Sequence, residues 1–212
     1  MSILVLTSDT LSSPAAAGQI EYTSPIFAAT PIGTQRGIVP TQQYYRLDSN
    51  LVGAAATTTT AQSIFNVGCT LSASTVYEFE IFAIFSKSAG TTSHSFQLGF
   101  GGTATINNIG YTGLVVANGG TIPAQNTATA FGFLSNTTTA TTSINALTAA
   151  ATFNSHVIKG TVSVNAGGTF IPQYTLAFTP GSVGPYSTVA GSYIRINPLS
   201  ASGAATNVGT WA

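Results

Sequence analysis

Glu78 and Glu80 stand two residues apart in the stretch TVYEFEIFAIF. On a β-strand that spacing puts both carboxylates on one face, about 7 Å apart. The separation overlaps the range at which two acids hydrolyse a glycosidic bond with inversion. The surrounding pattern argues against that chemistry. Both acids sit on a single strand rather than across a cleft, and Phe82 and Ile84 share their face. Lys159 and Arg195, on other predicted strands, are the expected partners, and the expectation is a structural charge cluster.

The remaining reactive side chains are sparse. His94 and His156 each follow a serine, in TSHSF and NSHVI, but no G-x-S-x-G elbow exists, and Asp9 and Asp48 lie far away in the N-terminal region. A hydrolytic triad needs a nucleophile, a base and an orienting acid, so both histidines are read as hydrogen-bonded or surface residues. Two histidines and Cys69 without close spacing make a poor zinc set, and loops poor in acids cannot build a calcium site. Cys69 is the single cysteine and reads as a small buried hydrophobe. The run GFGGTATINNIG lacks the lysine and following helix of a phosphate loop, so its glycines are expected in a tight turn or a close backbone approach. The triplet NTT at Asn136 is read as a chance glycosylation sequon. The sequence therefore offers no catalytic residue, no cofactor-binding residue and no metal ligand. Tyr44, Tyr45, Tyr111, Tyr186 and Trp211 are the aromatic candidates for a glycan groove, although core or interface packing explains each of them too.

Composition narrows the partners. The chain has 212 residues, of which 5% are charged, and a formal net charge of zero; a typical domain is about 25% charged. From Ser88 to Ile158 there is no Lys, Arg, Asp or Glu at all. Five Lys and Arg in total cannot form the basic patch that nucleic acid or an anionic membrane needs. The longest apolar runs, such as Ile81 to Phe85, fall far short of the about 20 residues of a spanning helix. The first eighteen residues lack the basic start of a signal peptide. Thr, Ser and Asn solvate such a surface without charge, but near-zero net charge favours association. A fixed part of an assembly suits this chain better than a freely diffusing enzyme.

Helical periodicity is nearly absent, and 22 Gly and 9 Pro punctuate the chain. Strict alternation predicts strands over Tyr77–Phe85, Phe96–Phe100, Val157–Val164 and Tyr193–Ile196, the last ending at Pro198. SHVIKGTVSVNAGGTFIPQYTLAF reads as two strands around a hairpin-like turn at Asn165–Gly168. The expected core is Phe79, Ile81, Phe96, Leu98, Ile158, Val162, Leu176 and Ile194. The predicted class is all-β: an antiparallel, jelly-roll-like β-sandwich over residues 63–212. Before it come an extended N-terminal arm of short strands over 1–50, whose prolines confine them to edges or bends, and a low-complexity loop over 51–62.

The segments TVYEFEIFAIFSKSAGTTSHSFQLGFGGTATI, IKGTVSVNAGGTFIPQYTLAF and GSYIRINPLSASGAATNVGTWA resemble a β-rich module of tailed-bacteriophage virion proteins, especially tail-fibre-like ones. The upstream SSPAAAGQIEYTSPIFAATP and RGIVPTQQYYRL resemble the segment that precedes the module there. The terminal G-S-Y-x-R-x-x-P-L and N-V-G-x-W pattern is the most specific part. The resemblance implies a virion location and a structural, non-enzymatic role, and it brings no catalytic residue. The chain shows no long shaft and no collagen-like repeat. The expectation is therefore a homotrimeric capsid decoration (cement) protein that binds the major capsid protein and stabilises the shell. The alternative is a short head or tail fibre that contacts a host-surface glycan.

Overall fold

The computed structural model describes residues 6–53, 60–87, 94–117, 132–135, 141–147, 153–176, 186–203 and 208. Among them are sixteen β-strands and no helix. In chain order these are β1 (Gln19–Thr23), β2 (Ile26–Ile32), β3 (Gln35–Val39), β4 (Gln43–Arg46), β5 (Leu51–Val52), β6 (Gln62–Ser63), β7 (Cys69–Leu71) and β8 (Thr75–Lys87). They continue with β9 (His94–Gly101), β10 (Thr105–Ala117), β11 (Gly132–Ser135), β12 (Thr141–Leu147), β13 (Phe153–Ala166), β14 (Gly168–Leu176), β15 (Tyr186–Thr188) and β16 (Tyr193–Ala201).

β1 to β3 form a separate antiparallel meander. Its prolines sit where the chain bends. Pro25 lies in the β1–β2 turn, Pro31 at a register shift between Ala29 and Ile32, and Pro40 just past β3. The segment ahead of β1 is tied to one face of the meander through charge. Glu21 pairs with Arg36 at 2.8 Å. It also accepts the Ser12 amide at 2.6 Å, and Arg36 donates to the Ser12 carbonyl.

The other described strands, β4 to β16, belong to two packed antiparallel sheets, an all-β sandwich. The larger runs β11-β10-β13-β8, and beyond β8 it divides. One edge of β8 pairs along its length with β13; the other is shared by β16, over Thr75–Phe82, and β15, over Phe85–Lys87. At the junction, Ile84 takes the Val189 amide on its carbonyl and donates its own amide to Ser192 Oγ. The smaller sheet runs β12-β9-β14, and β6 and β7 share the outer edge of β14. Pro172 sits at the gap between those two short strands, where a missing amide costs no ladder bond.

Alternation chose the core. Phe79, Ile81, Leu98, Ile158, Val162, Leu176 and Ile194 are all buried, as the pattern predicts; the Phe96 side chain lies outside the described residues. The two sheets are keyed together by four rings. Phe79 (β8) and Tyr111 (β10) meet Phe100 (β9) and Phe170 (β14) at centroid distances of 5.0–5.6 Å, and Phe100 stacks on Phe170 at 4.6 Å.

The structure corrects three expectations. Asn165–Gly168 is no hairpin: β13 lies in the larger sheet and β14 in the smaller, so the chain there turns the corner of the sandwich. Glycine is needed for room, because a Cβ on Gly168 would stand 2.6 Å from the Ala104 amide nitrogen. β16 does not stop at Pro198 but bulges there, with a register shift between Pro198 and Ser200, and runs on to Ala201. Finally, Gln43–Arg46, read as arm, and Leu51–Val52, read as loop, are strands of the larger sheet, paired with β16 and β15. The glycines of GFGG behave as expected. Gly102 takes a φ of +114°, and a side chain there would collide with the Thr169 carbonyl. Thr103 and Thr169 lock that crossing by exchanging amide-to-hydroxyl bonds of 3.0 Å.

Candidate functional site

Three groupings hold the residues that could do chemistry. The first lies on the outward face of the larger sheet. Register aligns Lys159, Glu80 and Arg195 across β13, β8 and β16, so the partners expected from sequence do meet. Lys159 Nζ and Arg195 Nη2 each lie 2.8 Å from Glu80 Oε2, and Tyr193 Oη donates to Oε1 at 2.7 Å. Burial opposes ionisation of Glu80, but the hydrogen bonds from Lys159, Tyr193 and Arg195 outweigh it and hold the carboxyl down at about 2. The same contact raises the Tyr193 hydroxyl and the Arg195 guanidinium. Glu78 is exposed beside this group and makes no ion pair among the described residues. A carboxylate held as an anion by three donors is a poor proton donor, and no second acid faces it. Tyr193 escaped the sequence reading, although it shares the parity of Arg195 and therefore its face.

The second grouping is inside, at the end of the sandwich where β8 finishes and β13 begins. Lys87, Asn154 and His156 are all buried there, and Phe85 meets the His156 ring edge-on at 5.4 Å and the Tyr174 ring at 5.3 Å. His156 is thus a core residue, not a surface one; burial pushes its imidazole down to about 3 and keeps it neutral. Burial also lowers Lys87 and raises Tyr174, to about 12. Tyr174 donates to Gln62 Oε1 at 3.0 Å. His94 begins β9 opposite Leu147, and its side chain lies outside the described residues.

The third grouping is a groove of about 260 Å³ at the open edge of the sandwich. Tyr44 and Tyr45 line it together with Gln43, Val67, Cys69 and Pro172. The two tyrosines are 55% and 39% exposed. Tyr44 stacks on Tyr193, and Tyr45 meets Phe65 edge-on. Cys69 is half-buried, donates to Gln43 Oε1 at 3.2 Å, and has its thiol raised by burial, which makes it a weak nucleophile. Of the other aromatic candidates, Tyr111 and Tyr186 are core residues, and Trp211 lies outside the described residues.

Among the described residues no three His, Cys, Asp or Glu side chains gather as a metal site. All ten charged residues of the chain are described, and seven are held in ion pairs: Glu21 with Arg36, Arg46 with Asp48, and Glu80 with Lys159 and Arg195. No protein-family model, no curated protein and no solved structure matches the chain.

Proposed function

We propose that this chain is a non-enzymatic structural protein of a tailed-phage virion: a homotrimeric decoration (cement) protein that binds the major capsid protein and stabilises the shell. The charge distribution is the observation that carries the reading. Few charges exist, most neutralise one another within the chain, and β9 to β12 lie entirely in the uncharged stretch. Such surfaces meet copies of themselves, or a protein lattice, without stranding a charge at a dry contact. The resemblance of the sandwich segments to phage virion modules supplies the setting. Mass spectrometry of purified virions tests it, with add-back of the protein to particles made without it. The chain should be present in many copies, and its return should raise the temperature at which heads release DNA. Absence from the particle overturns the reading.

The edge groove supports a second reading, a short appendage that contacts a host-surface glycan. Exposed Tyr45 beside amide and thiol groups suits the apolar face and hydroxyl rim of a sugar ring, and Tyr44, stacked on Tyr193 on the opposite face of β4, flanks it. Glycan-array binding that disappears in Tyr44→Ala with Tyr45→Ala would favour it over the cement role.

A further inference from the structure

The outer face of an antiparallel sandwich sheet is ordinarily polar. Here one cross-strand row reads Leu114, Val157, Phe82 and Tyr193 across β10, β13, β8 and β16. Ile84 and Phe153 extend the same face towards the end of β8, and Val52 lies in the Phe153 row. Leu114 is 54% exposed, Phe153 45% and Val52 62%. The sequence carries the same message: Ile81 to Phe85 contains no polar residue, the pattern of a strand covered on both faces. The smaller sheet covers Ile81, Ala83 and Phe85, whereas Phe82 and Ile84 remain partly exposed.

We infer that a second copy of the chain docks on this face. The inference rests on the proposed assembly of copies and assigns the surface that makes it. The charges on the face select the occupant. Glu78, Glu80, Lys159 and Arg195 balance, so a strongly acidic or basic partner finds no complement. A sister copy does: the side chains of Lys159 and Arg195 are 63% and 45% exposed, and Glu78, which makes no ion pair among the described residues, is available to a neighbour's cations. The area suffices as well. Five strands about 4.8 Å apart and six residues of about 3.3 Å rise give a footprint of roughly 500 Å² a copy, or about 1,000 Å² in total, the size at which specific interfaces begin.

The test compares the full chain with Leu114→Lys and Leu114→Lys/Phe153→Lys. Both sites are exposed, so the far-UV spectrum and thermal midpoint of the isolated fold serve as controls. Val67→Lys, in the edge groove, is the control for added charge. Sedimentation at micromolar concentration should show wild type and Val67→Lys at three times the monomer mass. In the Leu114 variants association should weaken on the order of a hundredfold, because a lysine is stranded in the contact. A wild-type dimer that the Leu114 variants dissociate would keep this surface and overturn the trimer. A trimer indifferent to both variants would overturn this surface and keep the trimer. A wild-type monomer would overturn both, and the presence of the chain in virions would still be decided separately.

Discussion

Glu80 is where the chain concentrates its electrostatic stabilisation. Its carboxyl is held at about 2 when folded, against 4.5 when free. The contribution is therefore complete above pH 4.5 and is lost as the pH falls towards 2. Allowing for the exposure of Lys159 and Arg195, Glu80→Gln should cost about 1–2 kcal/mol at neutral pH and flatten the acid limb of a urea-denaturation series below pH 4.5. His156 works over a higher window. Its folded value of about 3 lies below the free value of 6.5, so the unfolded chain takes up a proton first. Stability is complete above pH 6.5 and falls towards pH 3, by at most about 1.4 kcal/mol per pH unit. His156→Leu should abolish that slope between pH 6 and 4 while leaving the Glu80 limb in place. A variant with an unchanged pH profile would mean that His156 titrates in the folded state.

Strand crossings, more than strand interiors, are where this fold constrains its sequence. Gly102→Ala should destabilise by about 1–3 kcal/mol, through positive φ and collision with the Thr169 carbonyl. Gly110→Ala, on β10 with open space at its Cβ, should be neutral or gain about 0.4–1 kcal/mol; chemical denaturation of the pair measures both. Phe170→Ala should cost about 3–5 kcal/mol, because its ring stacks on Phe100 and contacts Phe79 between the sheets. The interiors were legible because alternation reports which side of a strand faces the core, and seven of the named core residues lie there. The same rule held a signal that the motif reading of His156 passed over: it shares parity with Ile158 and Val162, so its place was inside. What alternation cannot report is which sheet the next strand joins. Asn165–Gly168 has the composition of a hairpin and the geometry of a corner, and the difference lies in Ala104 and Leu71, distant in sequence, pressing on its glycines. Lys159 and Arg195 could be matched to Glu80 because so few cations compete for it. The tyrosine groove was legible only as a set of candidates, since exposure separates Tyr44 and Tyr45 from Tyr111 and Tyr186 and depends on the complete packing.

The molecule as a whole is a sandwich with a small meander attached ahead of it, and the border falls between β3 and β4. Deleting residues 1–40 should leave the thermal midpoint of the sandwich nearly unchanged and, under the proposed cement role, weaken attachment to the virion. Deleting 1–50 should lower the midpoint as well, because it also removes β4 and the buried Leu47, whose amide and carbonyl are bonded to Ser192 and Gly191. Equal loss of stability in both deletions would make the meander part of the sandwich core. The position of β8 has a consequence in time. It lies at residues 75–87, while its long neighbours lie at 153–166 and 193–201. During synthesis at about 5–20 residues per second, the central strand therefore waits several seconds for its first long neighbour and longer for the second. Refolding should be correspondingly slow, in the millisecond-to-second range of topologies dominated by distant pairings. Throughout that wait the apolar run Ile81–Phe85 is open to the same run on a neighbouring nascent chain, so yield in the cell should fall with expression rate before it falls with temperature.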